Sequence, residues 1–350
     1  MSEHSISIDE IEKKTPFELV GAGRAVPQAY FYDPDYYAEG LPEYVDEQDW
    51  HLFIPSPDGE LTILRDAKAQ KAIYFGVEAE SKKDIQIPFL TFYHQHASFP
   101  NILEYFDSIH EDIHHLSACL SKIGLYQHLS KESALDITHY VMTELEYIFS
   151  VCRSLFDTLH MVARESWSNV QLLEGGKNEL PSKLSKMALH GYDPVSASSL
   201  VDKYGIKIPL AEYYEELADF LSDLKYYRDS IHHYGGSFDI IFRTDEGIAV
   251  STEREPYSKF DAWNESLINE NGLASIWPFI SYIVGVTIEF LNRLPGAVFD
   301  DVILPDEIAP GYGVFLRGPH VHHLAKLESL CDEEIWGESI EDEISAKLNE

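Results

Sequence analysis

The fold is decided by the stretch Ser130–Leu173, which reads SKESALDITHYVMTELEYIFSVCRSLFDTLHMVARESWSNVQLL. Its 44 residues include neither Gly nor Pro, the two residues that most often interrupt a helix. Apolar side chains recur in it every three or four residues, at Ile137, Val141, Leu145, Ile148, Leu155, Leu159 and Val162. This period predicts a long helix with one apolar face, which needs a partner along its length.

The flanking sequence offers several such partners. Ile102–Leu129 has the same apolar spacing, and Gly175-Gly176 ends the central stretch. Pro209 suits the first turn of a helix that extends toward Tyr234. Another apolar helix is predicted from about Ser275 to Leu294. The chain is therefore expected to be mainly α, with a long helix hairpin inside a bundle.

Strand patterns occur before and within this helical region. Near the amino terminus, His51–Ile54, Leu61–Leu64 and Ala72–Val77 have the texture of short strands between turn residues. Phe238–Phe242 and Ile248–Ser251 predict a β-hairpin insertion. We expect a β-containing region over 1–100, a helical bundle over 101–300, and a carboxyl-terminal extension with an acidic helix over 301–350.

The charge balance restricts the possible partners. The chain has 60 acidic and 26 basic residues, a net charge of −34. Such a chain repels nucleic acid backbones and anionic membrane surfaces over most of its area. Three dispersed cysteines and no apparent secretory signal favour the cytoplasm. The charge-free stretch Asn271–Ile288 is interpreted as a buried helix, with no membrane association.

The segment most suited to chemistry is Arg228-Asp229-Ser230-Ile231-His232-His233, shortly before Gly235-Gly236. An arginine supplies a permanent cation for phosphate, a histidine exchanges protons near neutral pH, and an adjacent acid can orient either one. These groups suffice for phosphodiester cleavage without a metal. A structural alternative is that Arg228 and the histidines cap the helix and complement its dipole.

This segment resembles the R-(polar)-x-x-x-H signature of HEPN domains (higher eukaryotes and prokaryotes nucleotide-binding). Those domains are helical bundles around a long helix hairpin, with the signature at the end of a later helix. The resemblance covers about residues 100–295. Asp229 is a family variant of the polar position. The β-hairpin and the amino-terminal region are not explained by it.

The resemblance implies a homodimeric ribonuclease that needs no metal or cofactor and that leaves 2′,3′-cyclic phosphate and 5′-hydroxyl ends. Arg228 would hold the scissile phosphate, His233 would be the general acid or base, and Asp229 would orient one of them. A toxin or defence role would fit such a domain. Because five residues turn a helix by about 140°, His232 rather than His233 shares the face of Arg228 and is the alternative catalytic histidine.

Two other functions remain open. Many domains of this kind have lost catalysis, so the bundle could instead be a binding or dimerisation module whose acidic surface docks a basic protein. His110-Glu111-Asp112-Ile113-His114 also has the HExxH spacing of a zinc hydrolase helix, with Glu111 as the base. Its third ligand would have to be improvised from Glu132 or His139.

The distribution of charge adds a further expectation. Lys177–Arg243 contains eight Lys or Arg and ten Asp or Glu, a net charge of −2, so the other 283 residues hold −32. A nearly neutral area around Arg228 can admit a few nucleotides, whereas the acidic remainder disfavours long non-specific RNA contacts. We therefore expect a small RNA footprint.

Overall fold

A computed structural model describes residues 6–7, 26–27, 41–44, 50–55, 60–68, 71–96, 100–132, 136–170, 179–234, 241–332 and 335–349. Side chains are described for residues 71, 73–96, 101–131, 136–170, 179–227, 241–331 and 335–348. The chain divides into two compact units. The first unit comprises residues 1–97 and 305–322, and the second comprises 98–304 and 323–350.

The described strands are short and antiparallel. They are β1 Ile6–Ser7, β2 Val26–Pro27, β3 Leu41–Tyr44, β4 Trp50–Pro55, β5 Glu60–Lys68, β6 Ala72–Gly76, β7 Ile85–Gln86, β8 Leu189–His190, β9 Asp193–Pro194, β10 Ile241–Arg243, β11 Ile248–Ser251, β12 Leu273–Ser275 and β13 Gly313–Arg317.

Helices account for most of the described residues, so the mainly α prediction is confirmed. The α-helices are α1 Pro88–Gln95, α2 Pro100–Glu132, α3 Thr138–Asn169, α4 Ser185–Ala188, α5 Ala197–Tyr204, α6 Ile208–Tyr234, α7 Ile276–Phe299, α8 Ser329–Asp332 and α9 Glu338–Asn349. No helix among the described residues is long and apolar enough to cross a membrane.

The first unit contains two four-stranded sheets, with strand orders β1-β5-β4-β3 and β2-β6-β13-β7. The three amino-terminal strands predicted from sequence are present as β4, β5 and β6. The buried Asp84 carboxylate accepts two hydrogen bonds from Arg317 of β13, each at 2.7 Å, and a third from the Tyr74 hydroxyl of β6. A buried carboxylate with this many donors is a satisfied ion pair that fixes β13 beside β6.

The second unit is organised around the α2–α3 helix hairpin. The Lys122 ammonium of α2 contacts Glu144 of α3 at 3.1 Å, which places the later part of α2 beside the early part of α3. The expectation of one helix over Ser130–Leu173 is wrong at its start, because α2 extends to Glu132 and α3 begins at Thr138. At that start the Asp136 carboxylate accepts a hydrogen bond from the Thr138 amide, the kind of local bond by which Asp competes with helix continuation.

Helices α6 and α7 complete the core of this unit. The Tyr213 hydroxyl of α6 donates to the Phe290 carbonyl of α7 at 3.1 Å. Phe149 of α3 stacks on Phe279 of α7 with ring centroids 6.1 Å apart, and Phe260 meets the same ring edge to face at 5.5 Å. The charge-free stretch is a buried helix from Ile276 onward, as predicted, but its first residues are wrongly assigned, because Leu273–Ser275 forms β12. The predicted hairpin is confirmed as β10–β11, and β12 adds a third strand.

One buried amide joins four segments of the second unit. Gln127 of α2 donates to the Trp336 carbonyl at 2.7 Å and to the Glu341 carboxylate of α9 at 2.8 Å. Its oxygen accepts from the indole N–H of Trp277 at 3.1 Å and from the backbone N–H of Ile248 at 3.3 Å. Both amide donors and both acceptor positions are occupied, so the group is fully satisfied in the interior.

Replacing this amide by an apolar side chain of similar size removes one hydrogen bond from each of its four partners, of which Glu341 keeps its bond to Lys131. We expect Gln127→Leu to lower the free energy of unfolding by about 2–4 kcal/mol, since each buried polar group left unpaired costs roughly 1–3 kcal/mol and the site relaxes partly. Chemical denaturation of the full chain measures this. The matched control is Asn101→Leu, an exposed amide on the same helix. Equal stability of the two variants would contradict the proposed importance of Gln127.

Candidate functional site

The Arg228–His233 segment forms the last turns of α6. The backbone is helical through Tyr234, but the side chains of residues 228–240 lie outside the described part of the chain. The helical backbone therefore gives the positions around the helix of Arg228, Asp229, His232 and His233.

That backbone defines which positions share a face. Lys225, Arg228, Asp229 and His232 are spaced i, i+3, i+4 and i+7, so they follow one stripe of α6. His233 is about 140° from Arg228 around the helix axis. The helix does not end between the two positions, so its geometry groups Arg228 with His232 more closely than with His233.

A groove of about 350 Å³ lies at the start of this stripe. Lys186 of α4, Lys203 of α5 and Lys225 of α6 contribute to its wall, together with His190 of β8. No acidic side chain is among the described residues that line it. We call this feature the lysine groove. In a chain with a net charge of −34, three lysines that line one groove give it a local positive charge.

The β8–β9 hairpin is attached to α6 beside the groove. Lys225 donates to the Gly191 carbonyl at 2.8 Å, and the Ser222 hydroxyl donates to the Tyr192 carbonyl at 2.9 Å. Gly191 has a φ of +73°, a left-handed conformation that glycine adopts without strain. These two bonds fix the hairpin tip on the helix that carries Arg228.

Core contacts hold α6 in place. On α3, His160 is buried and uses both ring nitrogens: Nε2 lies 2.7 Å from the Pro181 carbonyl and Nδ1 lies 2.8 Å from the Tyr214 hydroxyl of α6. A carbonyl only accepts, so Nε2 carries the proton and Nδ1 accepts from Tyr214. On the same helix Arg153 pairs with Asp157 at 2.9 Å.

The HExxH segment is on α2. His110 and His114 are buried, whereas Glu111 is exposed. Burial raises the pKa of Asp112 to about 6, against the lowering effect of a hydrogen bond with Ser154, and the charge of Glu111 raises it further. No His, Cys, Asp or Glu within the described side chains completes a group of three ligands with His110 and His114. His139 is exposed on α3, and the Glu132 side chain lies outside the described part. A zinc site here stays a prediction.

Several residues of the lysine groove were not singled out from the sequence. Lys186, Lys203 and Lys225 are separated by up to 39 positions and form no motif. The only sequence signal was the nearly neutral charge of Lys177–Arg243. They line one groove because α4, the β8–β9 hairpin and α5 pack beside α6.

Comparison with known proteins identifies no relative of this chain: no family model, no curated protein and no solved structure matches it.

The buried His160 predicts an acid-sensitive core. Burial lowers its pKa to about 4, below the ordinary value of 6.5. The unfolded chain therefore binds more protons than the folded chain between these values, so stability falls as the pH falls from 6.5 toward 4. We expect His160→Gln to reduce this acid-induced loss by on the order of 2 kcal/mol, since one pKa unit corresponds to about 1.4 kcal/mol.

The measurement is the free energy of unfolding at pH 7.5 and at pH 4.5 for the wild type and the variant. His139→Gln, which changes an exposed histidine of α3, is the matched control and should follow the wild type. An unchanged pH dependence in His160→Gln would show that this side chain does not carry the effect.

Proposed function

We propose that the protein is a metal-independent endoribonuclease whose reactive groups lie at the carboxyl end of α6, in a HEPN-like bundle. The main support is that Lys225, which lines the lysine groove, shares its helix face with the positions of Arg228, Asp229 and His232. A site for anions thus continues along one helix into a group with a fixed cation, an acid and a titratable base. RNA cleavage needs phosphate capture and proton transfer at neighbouring points, which these groups supply.

The reaction is an internal displacement at phosphorus. A histidine removes the proton of the 2′-hydroxyl, whose oxygen forms a bond to phosphorus while the bond to the 5′-oxygen breaks. The leaving oxygen takes a proton from a general acid, which gives a 2′,3′-cyclic phosphate and a 5′-hydroxyl. Arg228 stabilises the charge that develops on the phosphate oxygens, and Asp229 orients Arg228 or the histidine.

Two histidines are candidates for proton transfer. The HEPN signature favours His233, and the continuous helix favours His232, because His232 lies on the face of Arg228. A homodimer with two facing copies of the segment would supply a base from one protomer and an acid from the other. The distinction is experimental, since each histidine can be replaced separately.

The test is incubation of the purified full-length protein with end-labelled RNA in the presence of EDTA. We expect cleavage to persist with EDTA and to fall by about 10²–10³-fold in Arg228→Ala, since loss of one group that stabilises developing charge has about this effect. Loss of the catalytic histidine, in His232→Ala or His233→Ala, should cost about 10²–10⁴-fold. Products should end in 2′,3′-cyclic phosphate, and the same sequence with 2′-O-methyl groups should remain intact.

Matched controls are Arg243→Ala on β10 and His139→Ala on α3, each of which removes an exposed side chain of the same type. Both should cleave as the wild type does, with unchanged thermal denaturation. Absence of cleavage over a range of RNAs would reject the nuclease and support a binding module. EDTA-sensitive activity with one equivalent of zinc, lost in His114→Ala, would support the zinc hydrolase instead.

A further inference from the structure

Two exposed tyrosines stand at the edge of the lysine groove. Tyr192 at the β8–β9 tip is 49% exposed, and Tyr226 of α6 is 47% exposed. Their rings lie edge to face, with centroids 6.4 Å apart and an interplanar angle of 74°. Beside the lysines, this pair of exposed rings offers an aromatic surface that a ligand can contact.

Both rings are held in position. The Tyr192 carbonyl accepts the Ser222 hydrogen bond, and the Lys225 ammonium lies 4.3 Å from the centre of the Tyr192 ring. Tyr226 contacts the ring of the buried Tyr227 at 5.1 Å. The two tyrosines are therefore fixed on the surface by hydrogen bonds, a cation–π contact and the core. Ligands stacked on such preorganised rings lose little affinity to ordering of the protein.

The lysines beside the two tyrosines indicate the kind of ligand: it should have flat rings that stack on the tyrosines and negative charges that pair with the lysines. Lys186 and Lys203 line the same groove as Lys225, and His190 precedes the tip that carries Tyr192. Aromatic faces beside lysines match a polynucleotide whose bases are unstacked from each other, with phosphates on the lysines and bases on the rings. A duplex offers phosphates but keeps its base faces covered, and its long charged backbone would meet the acidic remainder of the chain.

We propose that Tyr192 and Tyr226 form a base-stacking platform, and that the lysine groove with this platform binds a short unpaired segment of nucleic acid. The groove volume of about 350 Å³ is at the low end of small-ligand sites, which fits one or two nucleotides. This inference rests on the proposed nuclease for its biological meaning, since the bound segment would lead to Arg228 along α6. The binding itself is independent of catalysis.

Binding is measured with a fluorescently labelled eight-nucleotide 2′-O-methyl oligonucleotide, which 2′-hydroxyl chemistry cannot cleave. We expect Tyr192→Ala and Tyr226→Ala each to weaken its affinity by roughly 5- to 150-fold, the effect of losing one stacked base. Tyr192→Phe and Tyr226→Phe should bind as the wild type does, because the ring and not the hydroxyl makes the contact. Tyr140→Ala, at a 52% exposed tyrosine of α3, is the matched control.

The lysines have a separate readout. Lys203→Ala should flatten the dependence of log affinity on log salt concentration by about 0.7, the contribution of one phosphate contact on a single strand. A blunt duplex of the same length should bind at least tenfold more weakly than the single strand.

Equal affinity for the duplex, no binding of any oligonucleotide, or full affinity in both alanine variants would overturn the platform. An acidic peptide that competes with the oligonucleotide and binds more tightly would also overturn it, in favour of a protein partner. RNA cleavage that depends on Arg228 while both tyrosine variants bind normally would reject the platform and leave the nuclease. Tyrosine-dependent binding without any cleavage would retain the platform and reject the nuclease.

Discussion

The second unit depends on the hydrogen bonds of a single buried side chain. Gln127 contacts the segment before α9, α9 itself, α7 and β11, and these elements come from widely separated parts of the chain. Gly247 packs so close that an added Cβ would lie 2.7 Å from the Gln127 oxygen. Any arrangement that leaves one of these buried polar groups without a hydrogen bond costs free energy, because water cannot replace the lost partner. The amide therefore selects one packing of these elements.

The same principle positions the candidate site. Helix α6 is fixed to α3 through His160 and Tyr214, and to α7 through the Tyr213 hydroxyl. These bonds lie well before Arg228 in the helix, and the aromatic contacts of Tyr227 extend the packing to the last described side chain. Because a helix is stiff over a few turns, fixing its earlier part also orients its carboxyl end. Lys225 and Tyr226 are carried by this helix, and the backbone of Tyr192 is hydrogen-bonded to it.

Electrostatics explain why such a site would have a limited footprint. The net charge is −34, yet the lysines of the groove converge where the local sequence is close to neutral. At physiological ionic strength the electric field of a charge is screened beyond about 8 Å. The lysines therefore attract only the phosphates that enter the groove, and distant acidic side chains repel mainly ligands long enough to reach them. The arrangement favours a short anionic segment over an extended one.

The sequence by itself determined the elements whose cause is local. The apolar period and Pro209 predicted the helices, and alternating runs predicted β4, β5, β6 and the β10–β11 hairpin. The glycine pairs, which were predicted to end two of the helices, lie outside the described residues. The start of α3 at Thr138 was missed, because neither Gly nor Pro marks it; the local feature there is the Asp136 carboxylate, which accepts from the Thr138 amide. The Arg228–His233 segment was found because its residues are contiguous.

Only the tertiary structure decided which distant residues meet. Gln127 has no sequence signature, because its four partners are more than 100 positions away. The groove likewise brings together Lys186, Lys203 and Lys225, which lie on α4, α5 and α6, beside Tyr192 of the β8–β9 hairpin, and no spacing rule links these residues. Local propensity and periodicity act over a few residues, whereas buried hydrogen bonds and surface grooves depend on how whole elements pack.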